Sequence, residues 1–318
     1  MSLPTLFNPS NDMALATNLR QYYPPRRIQQ MESDLESLAR FWNNGPWGWS
    51  LATKQRYLRM GMAESDLPSD EWLAEVRRLS SREFATTYYK NLSLSRYKEG
   101  ESFLVPCHAQ FCKSLDEVKR LIASSNSVGK GIIFKAPWSS SGRGNMVVRD
   151  TIDPTIQKRI EAIIREQGGI VAEPFYADKV LDFAMEFRAT DEGVEFLGYS
   201  VFEADDTGHY GGNYVENQQS LVKRIDLSEN LLQDLVAYHQ QELRKLNYRG
   251  PIGIDMMKLK DGRVHPCVEI NFRMTMGMLA LLLYNKGIRE DQLLTPCREQ
   301  GFVAEIRQGR LSIAFNKS

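Results

Sequence analysis

The sequence has little of what marks a secreted, membrane-spanning or nucleic-acid-binding chain. Four cysteines occur in 318 residues: Cys107, Cys112, Cys267 and Cys297. They form no C-x₂-C pair and no repeated spacing, which argues against a disulfide scaffold. A zinc site drawing on Cys107, Cys112 and His108 is conceivable, but reduced, mostly buried thiols suit this pattern better. No apolar run reaches the ~18 residues that a membrane span requires. The longest candidate, residues 276–284, reads as a buried helix or strand. Met1-Ser2-Leu3-Pro4 lacks the basic and apolar stretches of a secretory signal, so the expected location is cytoplasmic. Charge of one sign is also missing, because 40 basic residues balance 40 acidic ones. Such a chain has no large-scale field to draw in nucleic acid or an anionic membrane, and neither is expected as a partner. Anionic ligands must be held by local groups. Internal repeats and low-complexity tracts are absent as well.

What remains is an ordinary globular composition, 42% apolar and 25% charged. Its length suits two or three structural units. Residues 1–100 read as a helix-rich unit. It opens on a short strand candidate, Thr5-Leu6-Phe7, and a cap-rich turn, Asn8-Pro9-Ser10-Asn11-Asp12. Helical periodicity follows at about 29–42, 51–61 and 71–90. Trp42, Trp47 and Trp49 lack interleaved basic residues, so they read as packing rather than a base-stacking surface. From about 101 the pattern is mixed. Strands are expected at 103–106, 131–137, 146–148 and 170–175, and helices at 114–123 and 153–167. Leu181 to Arg188 alternates strictly, with Leu181, Phe183, Met185 and Phe187 on one face and Asp182, Ala184, Glu186 and Arg188 on the other. Asp191-Glu192-Gly193 turns this strand into a second one at 194–202. Residues 203–217 read as a long, functional loop. A helix is expected at 226–245, with Asp226 and Glu229 at capping-box spacing.

Three segments carry chemistry. In Val268-Glu269-Ile270-Asn271-Phe272-Arg273, Glu269 and Asn271 leave one face of a strand while the apolar residues leave the other. Asp255 lies fourteen positions upstream in another apolar run. Three oxygen ligands on paired strands suit a hard divalent ion, Mg²⁺ or Mn²⁺, and such sites commonly serve bound phosphates. The register depends on the turn Lys260-Asp261-Gly262. A two-residue loop would send Asp255 and Glu269 to opposite faces. A three-residue loop with a left-handed Gly262 pairs Leu259 with Arg263 instead. Asp255 then faces Cys267 and shares a side with Glu269 and Asn271, which is the register expected. The opposite face becomes Ile252, Ile254, Met256, Val264, Pro266, Val268, Ile270 and Phe272.

The second segment is Lys135-Ala136-Pro137-Trp138-Ser139-Ser140-Ser141-Gly142-Arg143-Gly144. A lysine ends a strand and a small-residue loop follows, whose backbone N–H groups and hydroxyls can cradle phosphate. It is not a Walker A loop, and an ordinary Ser/Gly hairpin turn is the other reading. In the third, a strand ends at Glu173-Pro174-Phe175-Tyr176, with Asp182 close behind. Glu173 can accept from an exocyclic amine and Asp182 from ribose hydroxyls, although surface carboxylates would look the same.

Taken in this order over about 140 residues, from Lys135 to Glu269-Ile270-Asn271-Phe272-Arg273, these pieces resemble the ATP-grasp superfamily. The resemblance spans roughly 94–282. It implies an α+β ATP-grasp fold, two α+β subdomains clasping ATP, preceded by a helix-rich N-terminal domain. The divisions expected are 1–100, 101–172 and 173–318. It further implies that Lys135 and the segment Ser139, Ser140, Ser141 and Gly142 contact phosphates. Glu173, Pro174, Phe175 and Tyr176 would meet adenine, Asp182 ribose, and Asp255, Glu269 and Asn271 the metal. Arg273 and Arg188 would steady an acyl-phosphate. Two departures stand out. Where family members carry an early lysine, residues 80–84 offer Arg82. Where D-alanine ligase-like members carry an arginine two residues before the metal aspartate, this chain has Gly253.

The activity implied is an ATP- and Mg²⁺-dependent ligase joining a small carboxylate to an amine, or to a thiol. A small-molecule kinase and a non-catalytic nucleotide-binding protein are the alternatives. Tyr210, Asn213, Tyr214 and the turn at 8–12 are candidates for the acceptor pocket. Subunit number stays open, with a homodimer among the options.

Overall fold

The computed structural model describes residues 3–96, 103–124, 131–139, 144–149, 151–204, 210–297 and 300–317. The N-terminal part is helical: α1 (Asn11–Thr17), α2 (Arg26–Asp34), a 3₁₀ segment Glu36–Phe41, α3 (Leu51–Arg59), α4 (Asp70–Leu79) and α5 (Arg82–Arg96). The single helix expected over 71–90 is therefore two. The Ser81 hydroxyl accepts from Phe84 N at 3.1 Å, and Ser80 N closes the last turn of α4 on Val76 O at 2.9 Å. A serine competes well for backbone partners at a helix start, so the chain restarts there. The strand candidates at 5–7 and 103–106 shrink to isolated bridges, Leu6 to Pro46 and Leu104 to Val264.

Next come β1 (Gln110–Cys112), α6 (Leu115–Ser124), β2 (Ile132–Lys135), β3 (Met146–Val148), α7 (Pro154–Gln167) and β4 (Ile170–Pro174). They build an antiparallel sheet of order β1-β4-β2-β3. Asp153 caps α7 by accepting from Thr155 N and Ile156 N, and Gly168 ends it at φ 84°. Ile160 of α7 and Val118 of α6 pack with Phe134, Val148 and Ile170 of the sheet.

The remaining elements are β5 (Lys179–Ala189), β6 (Val194–Ala204), β7 (Tyr210–Tyr214), α8 (Gln218–Ile225), α9 (Glu229–Leu243), β8 (Gly250–Leu259), β9 (Val264–Asn271), α10 (Met276–Asn285), β10 (Gln292–Leu293), β11 (Gln300–Arg307) and β12 (Arg310–Lys317). The strands form an eight-stranded antiparallel sheet of order β10-β11-β12-β7-β6-β5-β8-β9. The stretch expected as a loop at 203–217 thus contributes a strand, β7, while 205–209 fall outside the described residues. Ser228, not Asp226, caps α9, accepting from Leu231 N; Asp226 instead ends α8 at φ 50°.

Alternation in β5 decides the layering. Phe183, Met185 and Phe187 join Ile252, Ile254 and Met256 of β8 in a core completed by α9 and by Tyr88, Tyr89 and Leu92 of α5. A second core joins Phe7, Leu35, Trp42 and Trp47 to α10 and β11. Trp42 and Trp47 meet edge to face at 5.6 Å, as packing aromatics do. The N-terminal helices thus share cores with the large sheet. On the polar face of β5, β8 and β9, Asp182, Asp255 and Glu269 face the small sheet, while Glu186 lies against the start of α10.

Candidate active site between the two sheets

The β8–β9 hairpin closes as its sequence demands. Leu259 N bonds Arg263 O at 2.8 Å, and Gly262 takes φ 86°. The register then slips. Met257 pairs with His265, but Asp255 pairs with Glu269, so β9 spends two more residues than β8. Asp255 therefore opposes Glu269 rather than Cys267. The irregularity spans Pro266, which has no N–H to give to a ladder and is accommodated at bulges. It sends Cys267 into the main core and leaves Val268 beside Met257 at the cleft, the reverse of the alternation expected. The same-face relation survives. Asp255, Glu269 and Asn271 stand together, with Asn271 Nδ2 donating to Asp255 Oδ2 at 3.2 Å.

Across the cleft, Lys135 on β2 and Glu173 on β4 are both buried and form an ion pair. Burial, then nearby Arg82, push the Lys135 ammonium down to about 8. A cavity of about 160 Å³ lies between the sheets. Lys135, Glu173, Pro174, Phe175, Tyr176 and Asp182 line it together with Asp255 and Glu269. Five strands and the loop after β4, over up to 134 positions, thus deliver these residues to one place. Asp182 is met by Lys179 Nζ at 2.6 Å. Ser139 does not line this cavity. Its hydroxyl accepts from Arg82 Nη1 at 2.7 Å. Ser140, Ser141 and Gly142 lie outside the described residues.

Arg82 ties the halves together. Nη1 also donates to Ala136 O at 2.8 Å, and Nη2 to Glu269 Oε2 at 2.9 Å. The guanidinium meets these acceptors with a planar fork that a lysine lacks.

A second cavity, about 250 Å³, opens on the other side of Asp255 and Glu269. Asn271 and Arg273 line it, as do Pro9, Ser10 and Asp12 of the N-terminal turn and Tyr210 and Asn213 of β7. Arg273 is bidentate to Asp12, at 2.9 and 2.8 Å, and Nη1 donates to Met274 O at 3.0 Å. Tyr214 lies apart, its hydroxyl donating to Glu203 at 2.8 Å. Arg188 also departs from expectation. It is exposed near the end of β5, opposite Pro251 and Glu195, and lines neither cavity. It shares Asp182's nominal face but lies six residues along, roughly 20 Å at strand rise, which carries it beyond the cleft.

On β5 it is Glu186, not Arg188, that reaches the second cavity. It is 1% exposed, lines the second cavity, and accepts from Ser200 Oγ and Thr275 Oγ1, both at 2.9 Å. Burial pushes its carboxyl up to about 7 against those two hydroxyls. The alternation of 181–188 already placed it on the polar face; what was missing was a reason to prefer it. Burial, then neighbouring Glu269, likewise push Asp255 up to about 8.

No known family model matches the chain. A [butirosin acyl-carrier protein]–L-glutamate ligase of Niallia circulans is 24% identical over 168 residues, 52% of this chain and 38% of that protein. The chain thus matches well under half of that relative's length. A biotin carboxylase–β-γ-ATP complex from Campylobacter jejuni superposes with a TM-score of 0.50 at 14% identity, over 76% of this chain and 54% of that one. A D-alanyl-alanine synthetase A from Vibrio cholerae gives 0.47 at 14% identity, over 68% and 62%. With two α+β lobes facing each other across a cleft of this make-up, the chain has the ATP-grasp fold.

Proposed function

We propose that the chain is an ATP- and divalent-metal-dependent ligase that joins a small carboxylate to an amine through an acyl-phosphate. The observation that supports it most is the meeting of two cavities over one pair of carboxylates, Asp255 and Glu269. One cavity has the lining of a nucleotide site and the other has room for an acceptor. The ligase activity named for the Niallia protein points the same way.

The donor set suits the metal. Two carboxylates face each other with an amide whose Oδ1 is left open by its Nδ2 bond. Among the described residues no group of three or more His, Cys, Asp or Glu side chains gathers as a metal site, and the set here is two carboxylates and one amide. Hard oxygens alone select Mg²⁺ or Mn²⁺ over softer ions. Burial first and then Glu269 raise Asp255 to about 8, and Asp255 has no cation at ion-pair distance among the described residues. When bound, the ion would neutralise charge on the transferring phosphoryl group.

The chain's own residues do the rest. Pro174, Phe175 and Tyr176 seat the base and Asp182 the ribose. Lys135 and Arg82 balance phosphate charge. The substrate carboxylate oxygen attacks the γ-phosphorus, and the bond to ADP breaks with its electron pair leaving on ADP. The amine nitrogen then adds to the acyl carbon; a C–N bond forms, the C–O bond to phosphate breaks, and phosphate departs. Arg273, locked by Asp12, places a fixed positive charge beside the acyl group. The divisions 1–100, 101–172 and 173–318 then correspond to a helical cap and two clasping lobes.

Incubation with ATP, Mg²⁺ and pools of carboxylates and amines tests the reading. Release of ADP and phosphate only when both pools are present is the expected result. ADP with a phosphorylated product and no free phosphate would make it a kinase. ATP binding without turnover on any pool would make it a non-catalytic nucleotide-binding protein.

A further inference from the structure

We propose that the 250 Å³ cavity beside Asp255 receives the attacking amine, with Glu186 holding its ammonium and Asn213 donating to a neutral carbonyl oxygen of the same small, apolar molecule. This rests on the ligase reading and names the acceptor class.

The charge argument comes first. Glu186 is almost fully buried, yet among the described residues its oxygens meet only two hydroxyls and no cation at ion-pair distance. A buried carboxylate satisfied by neutral donors alone is costly, and a ligand ammonium would complete it. The pocket is built for that carboxylate. A Cβ on Gly277 would lie 2.2 Å from Glu186 Oε1, and one on Gly253 would lie 2.8 Å from Oε2. Gly253, which lacks the arginine of D-alanine ligase-like chains, is thus part of the cradle.

The second argument is an unspent donor. Asn213 is 2% exposed and lines the cavity, and its buried Nδ2 has no hydrogen-bond partner among the described residues. Tyr210 donates to its Oδ1 at 2.7 Å, closer than its other acceptor, Leu311 O at 3.3 Å, and the NH₂ is the end left over. A neutral donor suits a neutral carbonyl. A free carboxylate on the acceptor would look for a cation, and Arg273 is already engaged by Asp12.

Shape and placement agree. Phe7, Met31, Phe202, Met276 and Ile313 supply apolar wall. The volume falls below the ~300–1,000 Å³ of sites for drug-sized ligands, which restricts the guest to amino-acid size. Glu186 opposes Gly253 and Ala184 opposes Asp255. The two acids are therefore one two-residue step apart, roughly 7 Å along the strand. An amine held at Glu186 stands next to the acyl carbon. It passes one proton to the Glu186 carboxylate and its freed lone pair forms the C–N bond as the C–O bond to phosphate breaks; the second nitrogen proton leaves with the phosphate as HPO₄²⁻, and Glu186 returns its own proton to water. A carboxyl raised to about 7 suits that exchange.

Calorimetric titration of the full chain, with and without ADP and Mg²⁺, decides the matter. The probes are leucinamide, 4-methylpentanamide (the same body without the amine) and leucine. Leucinamide is expected to bind, with the other two about tenfold weaker or more. Glu186→Gln should cost leucinamide about tenfold while leaving ADP affinity unchanged, and Asn213→Ala about fivefold. Equal binding of leucinamide and 4-methylpentanamide, no binding of leucinamide, or wild-type binding by Glu186→Gln would overturn the proposal. Leucine binding as tightly as leucinamide would overturn the neutral-carbonyl assignment. If Glu186→Gln does not fold, the amine deletion and Asn213→Ala still decide. Failure of ADP to bind would count against the nucleotide reading alone, because the titrations without ADP read the amine site separately.

Discussion

Arg82 and Glu269 are 187 positions apart, yet Arg82 Nη2 donates to Glu269 Oε2 at 2.9 Å while the same guanidinium holds Ser139. One side chain from the N-terminal helices thus links the end of β2 to a carboxylate of β9. Arg82→Ala leaves Glu269 without its cation and, on the nucleotide reading proposed above, takes a positive charge from the phosphate site. We expect a loss of roughly 2 kcal/mol in stability and about tenfold in ADP affinity. Arg82→Lys should restore only part of each, since a point charge cannot span the three acceptors. Unchanged ADP affinity in Arg82→Ala, measured by calorimetry, would remove Arg82 from the nucleotide site.

Glu269 and Ile270 are neighbours on β9 with opposite duties. Ile270 is 2% exposed in the main core, whereas Glu269 lines both cavities. Glu269→Ala is expected to abolish metal-dependent ADP formation. Ile270→Val should leave turnover intact and cost ~1 kcal/mol in urea unfolding. Equal activity in the two variants would contradict the metal assignment.

Gly277 opens α10 against Glu186 and Ser200. An added Cβ would sit 2.2 Å from both Glu186 Oε1 and Ser200 Oγ. Neither side chain is free to retreat, as both are 1% exposed. Gly277→Ala should therefore cost roughly 1–3 kcal/mol, although alanine is the better helix former. A chemical-denaturation midpoint at or above wild type would show that the cradle gives way.

His265 ties pH to stability. It is 1% exposed, lies beside Tyr89 with ring centroids 4.6 Å apart and tilted by 49°, and has no partner for Nδ1 among the described residues. Burial, then the charge of Lys135, push it down to about 3, even though Glu173 lies 3.9 Å away; that carboxylate is already taken by Lys135. As pH falls below 6.5 the unfolded chain gains a proton here and the folded chain does not. Stability is therefore lost on acidification through the window from about 6.5 to about 3. From pH 7 to pH 5 the wild type should lose roughly 2 kcal/mol more than His265→Leu. Parallel urea curves for the two proteins across that range would refute the buried neutral imidazole.

Much of the large sheet was legible along the chain, because side-chain direction in a strand is a local property. Alternation over 181–188 and 252–259 separated a core face from a polar face, and the glycine of the 260–262 turn set the loop length. The nucleotide cavity's lining followed from three short segments for the same reason. Tertiary structure decided the rest. The slip that sets Asp255 against Glu269 depends on how β9, with its proline, lies against β8. Arg188 was excluded by the length of β5 and Glu186 was selected by a pocket that two distant glycines leave open. Arg82 and Asp12 enter only because the N-terminal helices bury their apolar sides on the large sheet. Such long-range contacts carry no periodicity in sequence, since hydrophobic burial fixes how much surface must be covered but not which polar residues are brought along.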